Sequence, residues 1–109
     1  MPGISDLQGY MIALQTSFDA ERACSRPITV QYRFTGAVNG ACHAVMANGT
    51  LAVAEGVHPA PTVTVTSDFD LWTRIVTYEI ETLMAWQDGL YQVDGDIEAL
   101  IEMDACFRR

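Results

Sequence analysis

The sequence predicts an α+β domain in which helices cover a five-stranded, mainly antiparallel sheet, and three observations carry that prediction. Residues 28 to 35 alternate strictly between apolar and polar, Asn48-Gly49 separates two strand-like segments, and an amphipathic stretch from Ile97 to Phe107 closes the chain. Alternation of period two marks a half-buried strand, and apolar residues three and four apart mark a helix. Asn-Gly favours the two-residue turn whose twist matches a hairpin. Strands and helices that fall in separate runs, without regular alternation, point to α+β.

The first element is a helix over residues 6 to 18. Ser5 and Gln8 have the spacing of a capping box, and Leu7, Tyr10, Met11, Leu14 and Phe18 follow at helical spacing. Asp19 is placed to cap a further short turn through Ala23, which Ser25, Arg26 and Pro27 bring to an end. In the strand that follows, Ile28, Val30, Tyr32 and Phe34 share one face, while Thr29, Gln31, Arg33 and Thr35 share the other. Gly36 to Gly40 turns the chain, residues 41 to 47 return as a second strand, and residues 50 to 55 complete an antiparallel meander. Gly56 to Pro61 is a loop with two prolines, after which Thr62, Thr64 and Thr66 alternate with Val63 and Val65 in a fourth strand.

Ser67 with Asp70 opens a helix carrying Phe69, Trp72, Ile75 and Val76. A second helical segment sets Ile80, Leu83 and Met84 on one face ahead of Trp86. Gly89 sits where a helix C-cap belongs, Leu90 to Asp94 reads as a short fifth strand, and Gly95-Asp96 starts the closing helix. In that helix Ile97, Ala99, Leu100, Ile101, Met103, Cys106 and Phe107 cover a broad apolar arc, with Glu98 and Glu102 opposite.

Length and composition bound the function. The 109 residues fit a single domain, 1–109, and a chain that is 50% hydrophobic and 18% charged has the makeup of a folded globule. A net charge of −8 repels phosphate backbones, so no nucleic-acid partner is expected, and it disfavours docking on anionic lipid headgroups. All six basic residues are arginine, which excludes Schiff-base chemistry and a P-loop lysine. Three scattered cysteines without a C-x-x-C pair suit a reducing compartment. No signal peptide or long apolar run is evident, so the expectation is a cytoplasmic protein without stable membrane insertion.

Three stretches, Val30-Gln-Tyr-Arg-Phe-Thr-Gly36, Gly49-Thr-Leu-Ala-Val-Ala-Glu-Gly56 and Pro61-Thr-Val-Thr-Val-Thr-Ser-Asp68, together with Trp86 to Phe107, carry a family resemblance. In order and spacing they resemble the sterol carrier protein type 2 family, from about Phe18 to Phe107. The resemblance implies a sheet and helices enclosing an apolar tunnel for sterols, fatty acids, acyl-CoA or similar lipids, and a carrier rather than a catalyst. The chain departs from the family's Gly-Lys-Leu-Lys segment, with Leu90 and Gln92 at the lysine positions, and it has Glu102 where a basic residue is common. A neutral lipid, a fatty acid with its headgroup in solvent, or a hydrophobic metabolite therefore fits this acidic version better than acyl-CoA.

The candidate tunnel lining is Trp72, Leu83, Met84, Trp86, Leu100, Met103 and Phe107, the large apolar side chains the helices can present to a cavity. Ordinary core packing is the competing reading for each. Asp104 falls between Leu100 and Ile97 inside the apolar arc, so it is either a polar contact at the tunnel mouth or an exposed helix edge. Cys42 and His43 point to opposite sides of a strand and cannot form a dyad. His43, His58 and the cysteines lack metal-site spacing, Asp94 and Asp96 suit a helix start, and Arg33 suits an exposed sheet face. No metal, cofactor or catalytic residue is expected. Two functions compete: a carrier for a hydrophobic small molecule, and a filled-core module that forms a homodimer or acts beside a partner enzyme.

Overall fold

The alternating segment forms strand β1 (Ile28–Thr35) at the centre of a five-stranded sheet, flanked by β2 (Gly40–Ala47) and β4 (Val63–Asp68), with β3 (Thr50–Glu55) and β5 (Gln92–Gly95) at the edges. The computed structural model describes residues 6–22, 26–36, 38–76 and 82–107; Ser5, Ala23, Ser25 and Ile80, each given a role above, lie outside them. β1 to β3 form the antiparallel meander, closed by Asn48 and Gly49, both at positive φ as the hairpin turn requires. β5 is antiparallel to β4, but β4 runs parallel to β1, so the sheet is mixed.

The parallel pairing follows from the connection after β3. To reach the far side of β1, residues 56 to 62 cross the sheet instead of turning back, and Gln31 anchors the crossing. Its amide nitrogen donates to the carbonyls of Tyr32 (3.2 Å), Cys42 (3.0 Å) and Gly56 (3.2 Å), and its oxygen accepts from the His58 backbone N–H (2.6 Å). Gln31 is 1% exposed, although alternation alone places it on the polar face.

The other face of the sheet carries Ile28, Val30, Tyr32, Phe34, Cys42, Ala44, Met46, Val63 and Val65 into the core. Against it pack α1 (Leu7–Ser17), α2 (Phe69–Val76), α3 (Thr82–Gln87) and α4 (Ile97–Asp104). Several ends differ from the sequence reading. The cap of α1 is Asp6, whose carboxylate accepts from Gly9 N–H (2.7 Å). Ser67 pairs with Phe34 inside β4, which moves the cap of α2 to Asp68, bonded to Leu71 N–H (3.1 Å). Leu90 N–H bonds to Ala85 C=O (3.0 Å), so Leu90 belongs to the turn after α3 and β5 begins only at Gln92. The closing helix stops at Asp104, and Phe107 instead makes an isolated bridge with Phe18.

Candidate ligand-binding site

The turn that ends α3 shapes a surface concavity. Gly89, at φ +75°, donates to Trp86 C=O (3.0 Å), a left-handed helix terminus of the kind glycine favours. The chain then folds back along β5, leaving a cleft of about 710 Å³ lined by Trp86, Gln87, Gly89, Tyr91, Gln92, Val93 and Asp94. Trp86 is half-buried against the core, and Tyr91, at 4% exposed, forms the inner wall.

Behind Tyr91 lies a continuous aromatic cluster. Tyr91 meets Trp72 edge to face at 5.2 Å, and the Trp72 indole N–H donates to the Tyr10 hydroxyl (2.8 Å). The Tyr10 ring in turn meets Tyr32 and Phe34, each at 5.3 Å, and Phe34 meets Phe69 at 5.1 Å. Such edge-to-face pairs add to burial because the positive ring edge meets the negative ring face. Burial holds the Tyr10 hydroxyl well above its usual pKa, with Tyr32 adding in the same direction, so it stays neutral.

Of the residues singled out from the sequence, Trp86 lines the cleft and Trp72 lies one ring behind it. Leu100, Met103 and Phe107 are buried in the core, and Phe107 packs against Phe18 at 5.9 Å. Met84 is 62% exposed: Ala85 takes the inward position of this short helix and Met84 turns outward, away from any internal wall. The Leu83 side chain lies outside what the structure describes. Asp104 ends α4, half-buried, its backbone carbonyl accepting from Phe107 N–H (3.3 Å). Sequence reasoning passed over Tyr91 and Tyr10 as site residues. Their signals were present: Tyr91 is in phase with inward-facing Val93, and Tyr10 lies on the apolar stripe of α1.

Cys42 and His43 lie on opposite faces, as a strand demands. Cys42 is buried beneath the helices, where desolvation, and then the Glu55 charge, push its thiol up to about 12. On the other face His43 Nδ1 bonds to Gly56 C=O (3.0 Å), and its ring lies 5.2 Å from that of His58. A thiol so hard to ionise, with the imidazole across the sheet, is not an activated nucleophile. Among the described residues no three His, Cys, Asp or Glu side chains are grouped to hold a metal ion. Asp96 caps α4 by accepting from Ala99 N–H (3.2 Å) and pairs with Arg26 (3.2 Å), and these contacts, in that order, lower its pKa. Arg33 is exposed on the outer face of the sheet. No helix among the described residues is long and apolar enough to cross a membrane.

No family model and no curated protein matches the chain in sequence. Solved structures do match in shape. The inverting sec-alkylsulfatase Pisa1 from Pseudomonas sp. superposes at a TM-score of 0.83 and 20% identity, covering 93% of this chain but 16% of the sulfatase. A UbiJ-SCP2 ubiquinone synthesis protein matches at 0.70 and 14% identity, covering 91% of this chain and 90% of its own. Sterol carrier protein 2 like 2 from Aedes aegypti matches at 0.65 and 20% identity over 87% of both chains, and its palmitated form has also been solved in solution. The fold is therefore that of the sterol carrier protein 2-like structures. The chain spans only about a sixth of the alkylsulfatase, and that likeness is one of fold.

Proposed function

We propose that this domain is a non-catalytic carrier that holds a hydrophobic small molecule between its helices and sheet, entered through the cleft beside Trp86. The observation that carries the reading is the continuity of that cleft with the buried aromatic cluster, through Tyr91 and Trp72. Ligand pockets are typically concave and apolar with a few polar groups at the mouth, and here Gln87, Gln92 and Asp94 supply those groups. The fold adds support, because structures that share it include one solved in its palmitated form. Burial of ligand methylenes, worth about 0.8 kcal/mol each, drives binding.

Native mass spectrometry of the purified protein is expected to reveal a co-purified apolar molecule, and the neutral dye Nile red is expected to bind saturably. Trp86→Ala removes a wall of the cleft from a half-buried position and weakens dye binding by about tenfold while the chain stays folded. A protein that carries no apolar molecule and takes up no dye overturns the reading. If it then dimerises with concentration, the apolar surface serves self-association.

A further inference from the structure

The way inward from the cleft past Tyr91 is filled. Behind Tyr91 stands Trp72, whose ring lies 6.0 Å from that of Tyr32 and whose indole N–H is bound to the Tyr10 hydroxyl (2.8 Å). Tyr10 packs in turn on Phe69 at 6.5 Å. These rings are all buried, and separate elements hold them: Tyr10 comes from α1, Tyr32 from β1, Phe69 and Trp72 from α2, and Tyr91 from the residue before β5. Beside Tyr91, the lining residue Val93 pairs with the buried Val65, so the sheet closes that side as well. An alkyl chain pushed past Tyr91 would have to part rings packed at the density of a protein interior. It would also break the buried bond between Trp72 and Tyr10 and leave the indole N–H without an acceptor. Neither cost arises in the cleft itself, where the space is already open.

We infer that Tyr91, backed by Trp72, is the stop that sets the length of ligand this site admits, so that the cleft takes a short apolar molecule and not a long-chain lipid. The inference rests on the carrier reading and specifies the size class that reading leaves open. Length selection of this kind has a thermodynamic signature. Each ligand methylene that leaves water adds about fourfold to affinity, whereas one that finds the way inward blocked stays in water and adds nothing.

The straight-chain alcohols from 1-hexanol to 1-dodecanol, each titrated below its solubility limit by calorimetry, test it. Affinity is expected to climb about fourfold per carbon through the shorter alcohols and to level off before 1-dodecanol. Tyr91→Ala is expected to move that plateau to longer chains, tightening 1-dodecanol binding by about tenfold while 1-hexanol changes by no more than about threefold. Tyr91→Leu, which keeps the position apolar and filled, is expected to shift the plateau the same way and serves if Tyr91→Ala unfolds. A wild-type affinity that climbs by the same factor through 1-dodecanol overturns the inference while the carrier reading stands. A plateau that stays in place when Tyr91 is shortened also overturns it, because the limit then lies elsewhere. If no alcohol binds but Nile red does, the carrier reading stands and this inference falls; if neither binds, both fall.

Discussion

Gln31 and Tyr10 show how single polar side chains hold this fold at points where apolar packing alone would not. Gln31 is itself buried on the polar face of the sheet, and its oxygen is the acceptor for His58 N–H in the segment that crosses the sheet. Gln31→Leu keeps the bulk but leaves that N–H without its partner, a loss of about 1–3 kcal/mol. Urea titration measures the cost, and hydrogen exchange at residues 56 to 61 is expected to accelerate; unchanged exchange there would mean the crossing is held by other contacts. Tyr10→Phe similarly strips the acceptor from the Trp72 indole N–H, buried 62 residues away in sequence, and is expected to destabilise by about 1–3 kcal/mol with a shift in tryptophan emission. Neither role was legible in the sequence. Alternation assigned Gln31 to the polar face and helical spacing assigned Tyr10 to the core, and both assignments hold. Their partners come from segments far along the chain that local pattern does not bring together.

At the scale of elements, the strands were legible because each alternation had to bury one face, whereas helix starts were displaced by a residue where two capping side chains competed. Asp6 caps α1, and Asp68 caps α2 because the β1 register claims Ser67 for the sheet. The junction of β5 and α4 was read correctly from Gly95-Asp96, and the structure supplies its physical reason. Gly95 has φ +104°, and a Cβ there would lie 2.7 Å from Thr62 C=O and 3.1 Å from Val63 Cα, both backbone atoms unable to move aside. Gly49 also has positive φ but faces open space. Gly95→Ala is therefore expected to cost more than Gly49→Ala, by at least about 1 kcal/mol beyond the strain that both share. Equal losses in thermal unfolding would show that β5 can shift to relieve the contact. Next to it, Arg26 joins Asp96 (3.2 Å) and Glu102 (2.8 Å), tying the segment before β1 to both ends of α4. The low Asp96 pKa means its contribution to stability is present above the ordinary value of 3.8 and fades as acid protonates the folded carboxylate. Asp96→Asn, which still caps the helix but cannot pair ionically, is expected to flatten that acid dependence.

For the molecule as a whole, the sheet and the helical layer could be read in advance, while the parallel β1–β4 pairing and the aromatic filling behind the cleft could not. Both depend on which distant segments meet: the crossing over Gln31 decides the first, and the approach of α1 and α2 to β1 decides the second. That filling has a consequence for stability, because the same helices that cover the aromatic cluster also shield two acidic protons. Folding raises the Cys42 thiol from its ordinary 9.0 to about 12 and holds the Tyr10 hydroxyl well above 10.0. Between those limits the unfolded chain releases protons that the folded chain keeps, so alkali favours unfolding. Stability from this source is complete below about pH 9 and declines as the pH rises toward 12. Urea unfolding midpoints measured from about pH 8 to about pH 11 are expected to fall steadily, and less steeply in Cys42→Ala, which has no thiol to ionise. Parallel slopes for the two proteins would show that Cys42 reaches water in the native state, and so that the helical layer opens over the sheet more readily than its packing indicates.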